Sequence, residues 1–254
     1  MNQIVNRLEE IFNNAVQDDE IGKYSSEEMV RYFSFLEDYS QRNKLSLCLV
    51  NKHTLHYEYR TQGFYDLWQV NEGEVPEKVP DLMASVFDNP ADFVMIMQLN
   101  EKVLCNFDTP EKFLFTTTFC GVKTKTFTGK PVKLLSHNIP LKLDGEWQHK
   151  IHFCENRDVS HLFDSDHFWV RFVICGEVFH YLSTYDVLYR KEILSKSELT
   201  CVAEWASGLG LNEIASKLFI SLNTVKNHLK AARNKLGARD NTALVELCKF
   251  AGIL

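Results

Sequence analysis

Four side chains near the end of this 254-residue chain have the chemistry to read a nucleic acid: Lys226, Asn227, Lys230 and Asn234. A lysine ammonium donates to guanine O6 and N7 or to a phosphate, and an asparagine amide pairs with the edge of adenine. On a helix these positions point away from Val225, Leu229, Ala232 and Leu236, which recur at i, i+4, i+7 and i+11 as a buried stripe does. Ser221 is placed to cap that helix and Gly237 to stop it, which sets it at about 222–236. A solvated helix face also carries Lys and Asn, so the elements around these residues must decide between the two readings.

Those elements are short, capped helices. Ser195-Lys196-Ser197-Glu198 has the form of a capping box, in which hydroxyl and carboxylate each satisfy a free amide at the helix start. The helix it opens is expected to bury Leu199, Val202, Ala203 and Ala206 and to end at Gly208. Ile214, Ala215 and Leu218 mark a second helix, and Phe219-Ile220-Ser221 a turn into the third. A fourth, at about 241–251, leaves Leu244, Leu247, Cys248 and Ala251 on one side. The spacing places the third helix as one that enters a major groove with its N-terminal half forward.

The stretch resembles the LuxR/GerE-type helix-turn-helix of bacterial transcription regulators. The resemblance is carried by Leu194-Ser-Lys-Ser-Glu198, Glu213-Ile-Ala215, Leu218-Phe-Ile-Ser221, Thr224-Val-Lys226, His228 and Lys235-Leu-Gly237. It implies that Lys226, Asn227 and Lys230 face base edges, and that Thr224, His228 and Lys235 lie near or contact the phosphate backbone. It also implies a dimer contact through the last helix, with packing on the other three as that helix's competing role. Such a dimer would bind half-sites about one DNA turn apart. Departures from the pattern stand at Gly210 and Leu211, where the second helix has a weaker cap. Ala232, a small residue in the stripe, and Asn241, before the last helix, depart too.

Charge divides the chain in the same place. The net charge is −6, yet from Lys191 onward there are nine Lys/Arg against six Asp/Glu, a net +3. The residues upstream hold 19 against 28, a net −9. An acidic front and a basic tail fit a protein whose tail meets a polyanion. The seven cysteines are scattered and show no CxxC, so they read as reduced thiols in a cytoplasmic protein, most of them small buried hydrophobes. No apolar run reaches the roughly 18 residues of a membrane span, and the N-terminus lacks the form of a signal peptide.

Upstream, the period changes. Residues 2–17 and a stretch after Ser25 or Ser26 are helical in pattern, the latter with Met29, Tyr32, Phe33, Leu36 and Tyr39. Strands are expected at 45–50 and 55–59, a helical turn at 64–70, and amphipathic pieces at 82–87 and 93–105. Beyond residue 112 the period moves towards two, giving strands at 112–126, 132–143, 149–154, 168–175 and 178–182. Turns are expected at 128–130, at Asp144-Gly145 and at Gly176-Glu177. This is an antiparallel sheet with helices on one face, the α+β class.

The order resembles the PAS fold over residues 45–165. SLCLVNKHTLHYEYRTQGFYDLWQV is similar to its opening strand pair and helix, FDNPADF to its Pro-x-Asp element, and Asp158-Val159-Ser160-His161 to the phrase that ends its closing hairpin. The strands after Asp166 exceed a minimal PAS domain. Tyr57, Tyr59, Phe64, Tyr65, Trp68, Phe113, Phe115 and Phe119 could line a small-molecule pocket, though an ordinary packed core is the better reading of any one of them. His149, His152 and Cys154 lack a fourth ligand at metal-binding spacing, and Asp164, Asp166 and His167 read as solvated turn residues. No catalytic motif and no cofactor is indicated.

The expectation is therefore a PAS-like α+β sensor or dimerisation domain over 1–190, joined through 183–194 to an all-α helix-turn-helix domain over 191–254. Its partners are double-stranded DNA, a second copy of the chain and a small-molecule ligand, with no membrane and no catalysis. The alternatives are a receptor of the acyl-homoserine-lactone-binding type on the same DNA-binding domain, and a protein-interaction module.

Overall fold

The structure, a computed structural model, describes residues 26–51, 54–105, 115–143 and 149–254. The helix expected over 2–17, Ser25, Phe113 and the Asp144-Gly145 turn lie outside them. The first described helix, α1 (Ser26–Asn43), leads into strand β1 (Ser46–Asn51), which pairs with β2 (Tyr57–Arg60). A group of short helices follows: α2 (Gln62–Trp68), a single 3₁₀ turn at Glu72–Glu74, α3 (Val79–Val86) and α4 (Pro90–Leu104). Prolines open α3 and α4, where a missing N–H costs no helical bond, and the Asn89 side chain accepts from the Ala91 N–H.

Six strands complete the sheet: β3 (Phe115–Lys125), β4 (Pro131–Leu143), β5 (His149–Asp158), β6 (Trp169–Ile174), β7 (Glu177–Leu182) and β8 (Val187–Tyr189). Their order is β2-β1-β5-β4-β3-β6-β7-β8, with every neighbouring pair antiparallel. The first five, with helices inserted between β2 and β3, have the layout the PAS resemblance implied. Strands β6 to β8 extend the sheet from the β3 edge. β8 falls inside the stretch read from sequence as a connector. It spans three residues, too few to show a period, and it forms because the chain reverses over Ser183–Asp186 and returns along β7.

Residues alternate between the two faces of this sheet. One face packs under α2 to α4, where Val50, Phe64, Trp68, Ile96, Phe119, Leu134 and Phe172 form one core. The other face presents Cys120, Leu135, Trp169 and Leu182, joined by Leu162 and Phe163 from the loop after β5. Against it lie four C-terminal helices, α5 (Lys196–Ala206), α6 (Leu211–Leu218), α7 (Leu222–Leu236) and α8 (Asn241–Phe250). Phe119 and Val122 face the same side because a bulge at Gly121 inserts one extra residue in β3. Gly121 has φ +85, and any side chain there would strike the Phe163 ring.

Candidate nucleic-acid interface

The C-terminal helices form as their caps dictate. The Ser195 hydroxyl accepts from the Glu198 N–H at 3.3 Å, and Glu198 Oε2 accepts from the Ser195 N–H at 2.7 Å. Gly210 has no side chain to cap α6, and the Glu213 carboxylate accepts its N–H at 2.7 Å instead. The Ser221 hydroxyl accepts from the Thr224 N–H at 3.0 Å, and Gly237 ends α7 at φ +71. Val225, Leu229, Ala232 and Leu236 are all buried, so the stripe read from sequence is the packing face of α7. In α5, Ala203 is exposed where burial was expected; Cys201, two residues earlier, is in the core instead.

With that face fixed, Lys226, Asn227, Lys230 and Asn234 are exposed. Thr224 and His228 are half-buried beside them, and the Thr224 hydroxyl shares a 2.8 Å hydrogen bond with the Ser221 hydroxyl. Lys235 is engaged within the protein. Its ammonium meets Glu198 Oε2 at 2.7 Å and the Ile193 carbonyl at 3.3 Å, which ties the last turn of α7 to the cap of α5. Burial would raise the Glu198 carboxyl, yet the hydrogen bonds from Lys235 and Ser195 hold it below its ordinary value.

The end of α7 is held from outside its own domain. A helix leaves its last carbonyls without intrahelical partners. Here the Lys235 carbonyl meets His167 Nε2 at 3.2 Å, the Leu236 carbonyl accepts from the Trp169 indole N–H at 3.2 Å, and the Gly237 carbonyl accepts from the Asp164 N–H at 2.9 Å. A carbonyl only accepts, so the bond to Lys235 uses an N–H on His167 Nε2, while Nδ1 shares a hydrogen bond with the Ser165 hydroxyl. The Arg239 N–H donates back to the Leu162 carbonyl at 2.9 Å, completing an antiparallel bridge between Phe163 and Ala238. His167 is therefore no solvated turn residue, as the sequence reading had it. Sequence reasoning missed this set because its members lie 67 to 77 positions apart along the chain. The one local signal was Trp169, a large aromatic on the sheet face that α2 to α4 do not cover.

Helix α8 turns Ala243, Leu244, Leu247 and Cys248 into the same core, after an Asp240 cap that accepts the Ala243 N–H at 2.8 Å. The Arg157 guanidinium lies 3.9 Å from the centre of the Phe250 ring, and Arg171 pairs with Glu192 at 2.7 Å beneath it. Of the two roles for this helix, the packing role is met by these contacts.

On the opposite face of the sheet a cavity of about 250 Å³ opens between the strands and α2 to α4. Phe64, Trp68, Met83, Ile96 and Phe119 supply apolar wall, and Asn100, Thr117, Ser136, Asn138 and Asn156 a polar strip. Among the described residues, no Asp, Glu, Lys or Arg lines it. Of the aromatic residues named from sequence, Tyr57, Phe64, Trp68 and Phe119 line the cavity; Tyr59 and Tyr65 do not. Among the described residues, the buried Trp68 indole N–H finds no hydrogen-bond partner. Cys48 and Cys154 stand opposite on β1 and β5. The hydrogen bond between their thiols, and burial, push the Cys48 thiol well above its usual range. His152 also borders the cavity, and among the described residues no three His, Cys, Asp or Glu group to hold a metal.

Residues 192–248 match the family model of the bacterial regulatory proteins of the luxR family. The C-terminal domain is a LuxR-family domain. Over 55 residues it is 46% identical to the oxygen regulatory protein NreC of Staphylococcus aureus (strain JH9), an alignment covering 22% of this chain and 25% of that protein. The chain thus matches a quarter of the length of its curated relative. Among solved structures it is similar to a phage VqmA–DPO complex, at 13% identity over 89% of this chain and 90% of that one, with a TM-score of 0.32. A Vibrio cholera VqmA–ligand–DNA complex matches at 15% identity over 90% and 88%, TM-score 0.33. A PAS domain from Colwellia psychrerythraea matches at 12% identity over 51% and 96%, TM-score 0.38. No described helix is long and apolar enough to cross a membrane.

Proposed function

We propose that this chain is a sequence-specific DNA-binding transcription regulator whose N-terminal domain receives a small ligand. The observation that carries the reading is α7 itself: capped at both ends, buried along one stripe, and presenting Lys226, Asn227 and Lys230 to solvent within a LuxR-family domain. In this reading those three side chains meet base edges in the major groove. Thr224 and His228 meet the phosphate backbone at the margin of the helix, and Lys235 lies close to it while holding Glu198. The protein acts in the cytoplasm as a homodimer on a two-fold site, with the domains dividing at residues 190 and 191. It catalyses no reaction.

The cavity supports a sensing role for the front domain over one of dimerisation alone. A space of about 250 Å³ with an apolar wall, a polar strip and, among the described residues, no charged lining suits a compact, neutral ligand that donates and accepts hydrogen bonds along one edge.

The test is a selection from genomic DNA with the full chain, followed by binding of the enriched fragment to the Lys226→Ala/Lys230→Ala double variant. The expected outcome is a loss of affinity of roughly tenfold or more and a shallower dependence on salt. Unchanged affinity and salt slope would remove α7 from the interface. Failure of the full chain to enrich any fragment at low salt would favour a protein-interaction module instead.

A further inference from the structure

The N-terminal domain does more than sit next to the DNA-binding helices. Two glycines from different domains, Gly121 in the β3 bulge and Gly237 at the end of α7, leave room for one ring, that of Phe163. A Cβ at either would come within 2.4 Å of that ring. Around this wedge the three carbonyls at the end of α7 and its stop residue are bound by His167, Trp169 and the Asp164 amide. Trp169 is wholly buried, and its strand pairs directly with β3. A helix end gripped by three hydrogen bonds and a wedged ring cannot swivel on the sheet without breaking several of them.

We propose that Phe163, His167 and Trp169 are positioning residues for DNA recognition. They set the direction of α7 relative to the sheet, so that in a two-fold dimer the sheet domain fixes the distance between the two reading helices. The inference rests on the DNA-binding reading above. It assigns operator spacing to residues of the front domain that touch no DNA, and leaves base preference to Lys226, Asn227 and Lys230. Strand β3 also gives this grip a connection to the cavity: Thr117 and Phe119 line the cavity, while Cys120 and Gly121 face the α7 side. A ligand that shifts β3 would change spacing before it changed base preference.

The experiment is a selection from DNA carrying randomised half-sites and randomised gaps, using the full chain and three variants. Trp169→Phe removes the indole donor and keeps an aromatic ring. His167→Ala removes the second donor, and His167→Gln keeps an N–H where Nε2 stood. Thermal unfolding of each variant establishes that it is folded. Wild type and His167→Gln are expected to enrich one dominant gap. Trp169→Phe and His167→Ala are expected to enrich the same half-site bases at several gaps, with at least a threefold fall in preference for the dominant one. Variants that keep the single gap overturn the proposal, as does a wild type that enriches half-sites without a fixed gap. Loss of base preference together with spacing also overturns it, since that is what a general loss of the helical domain would give. A wild type that enriches no sequence fails the DNA-binding reading instead, and this inference falls with it.

Discussion

The two faces of the sheet are built from the same strands and solve different problems. Towards α2 to α4, alternate residues of β3 and β4 (Thr117, Phe119, Leu134, Ser136) surround open space and carry no charge. Towards α5 to α8, the residues between them meet a filled core, and the charges there are paired: Arg171 with Glu192, Arg157 with Glu155. The difference teaches where the molecule keeps rigidity and where it keeps room. A small polar residue beside a cavity can exchange hydrogen-bond partners for a ligand, whereas a half-buried ion pair or a wedged ring is held to the partner it has.

The largest effect comes from emptying the filled face. Phe163→Ala removes a buried ring shared by both domains, and chemical denaturation is expected to show a loss of about 3–5 kcal/mol. A loss under about 1 kcal/mol would mean that the face between the domains is not packed as described.

Next comes His137, buried on β4 on the filled face beside Arg171. Burial, then the Arg171 charge, lowers its pKa from 6.5 to about 4. Between those values the unfolded chain binds more protons than the folded one, so acid favours unfolding. The His137 contribution is fully present above about pH 6.5 and is lost as pH falls towards 4, a change of about 3 kcal/mol. Stability measured across this range should flatten by about that amount in His137→Asn. An unaltered pH profile in that variant would place the acid sensitivity elsewhere.

The smallest effect belongs to the open face. The Thr117 hydroxyl donates to Asn100 Oδ1 at 2.8 Å beside the cavity. Thr117→Val keeps the shape and removes the bond, and should cost about 1 kcal/mol or less in thermal unfolding. A cost equal to that of Phe163→Ala would erase the distinction between the faces.

How much of this was legible varied with distance along the chain. The C-terminal domain was readable because each of its signals is local: Ser195 with Glu198 and Ser221 with Thr224 lie three residues apart, and the α7 stripe repeats within one helix. The sheet strands were readable from their period and from the turns between them, apart from β8, too short to have one. The cavity was half legible. Its aromatic residues were named, but a wall and a core use the same residue types, and packing alone separates Tyr57 from Tyr59. Ala203 was misjudged because a helical stripe fixes a burial face only to within one residue. His167 was misjudged because its partner, the Lys235 carbonyl, belongs to another domain.

By itself, then, the sequence determined the caps, the periods and the exposed face of α7, since these depend on residues within a turn or two of one another. What only the tertiary structure decided is which face of the sheet stays open and which is covered, and that the end of α7 is held by Trp169, His167 and Asp164. Backbone carbonyls carry no residue code. Where a helix end finds its donors is settled by packing between distant segments, and no spacing in the chain records it.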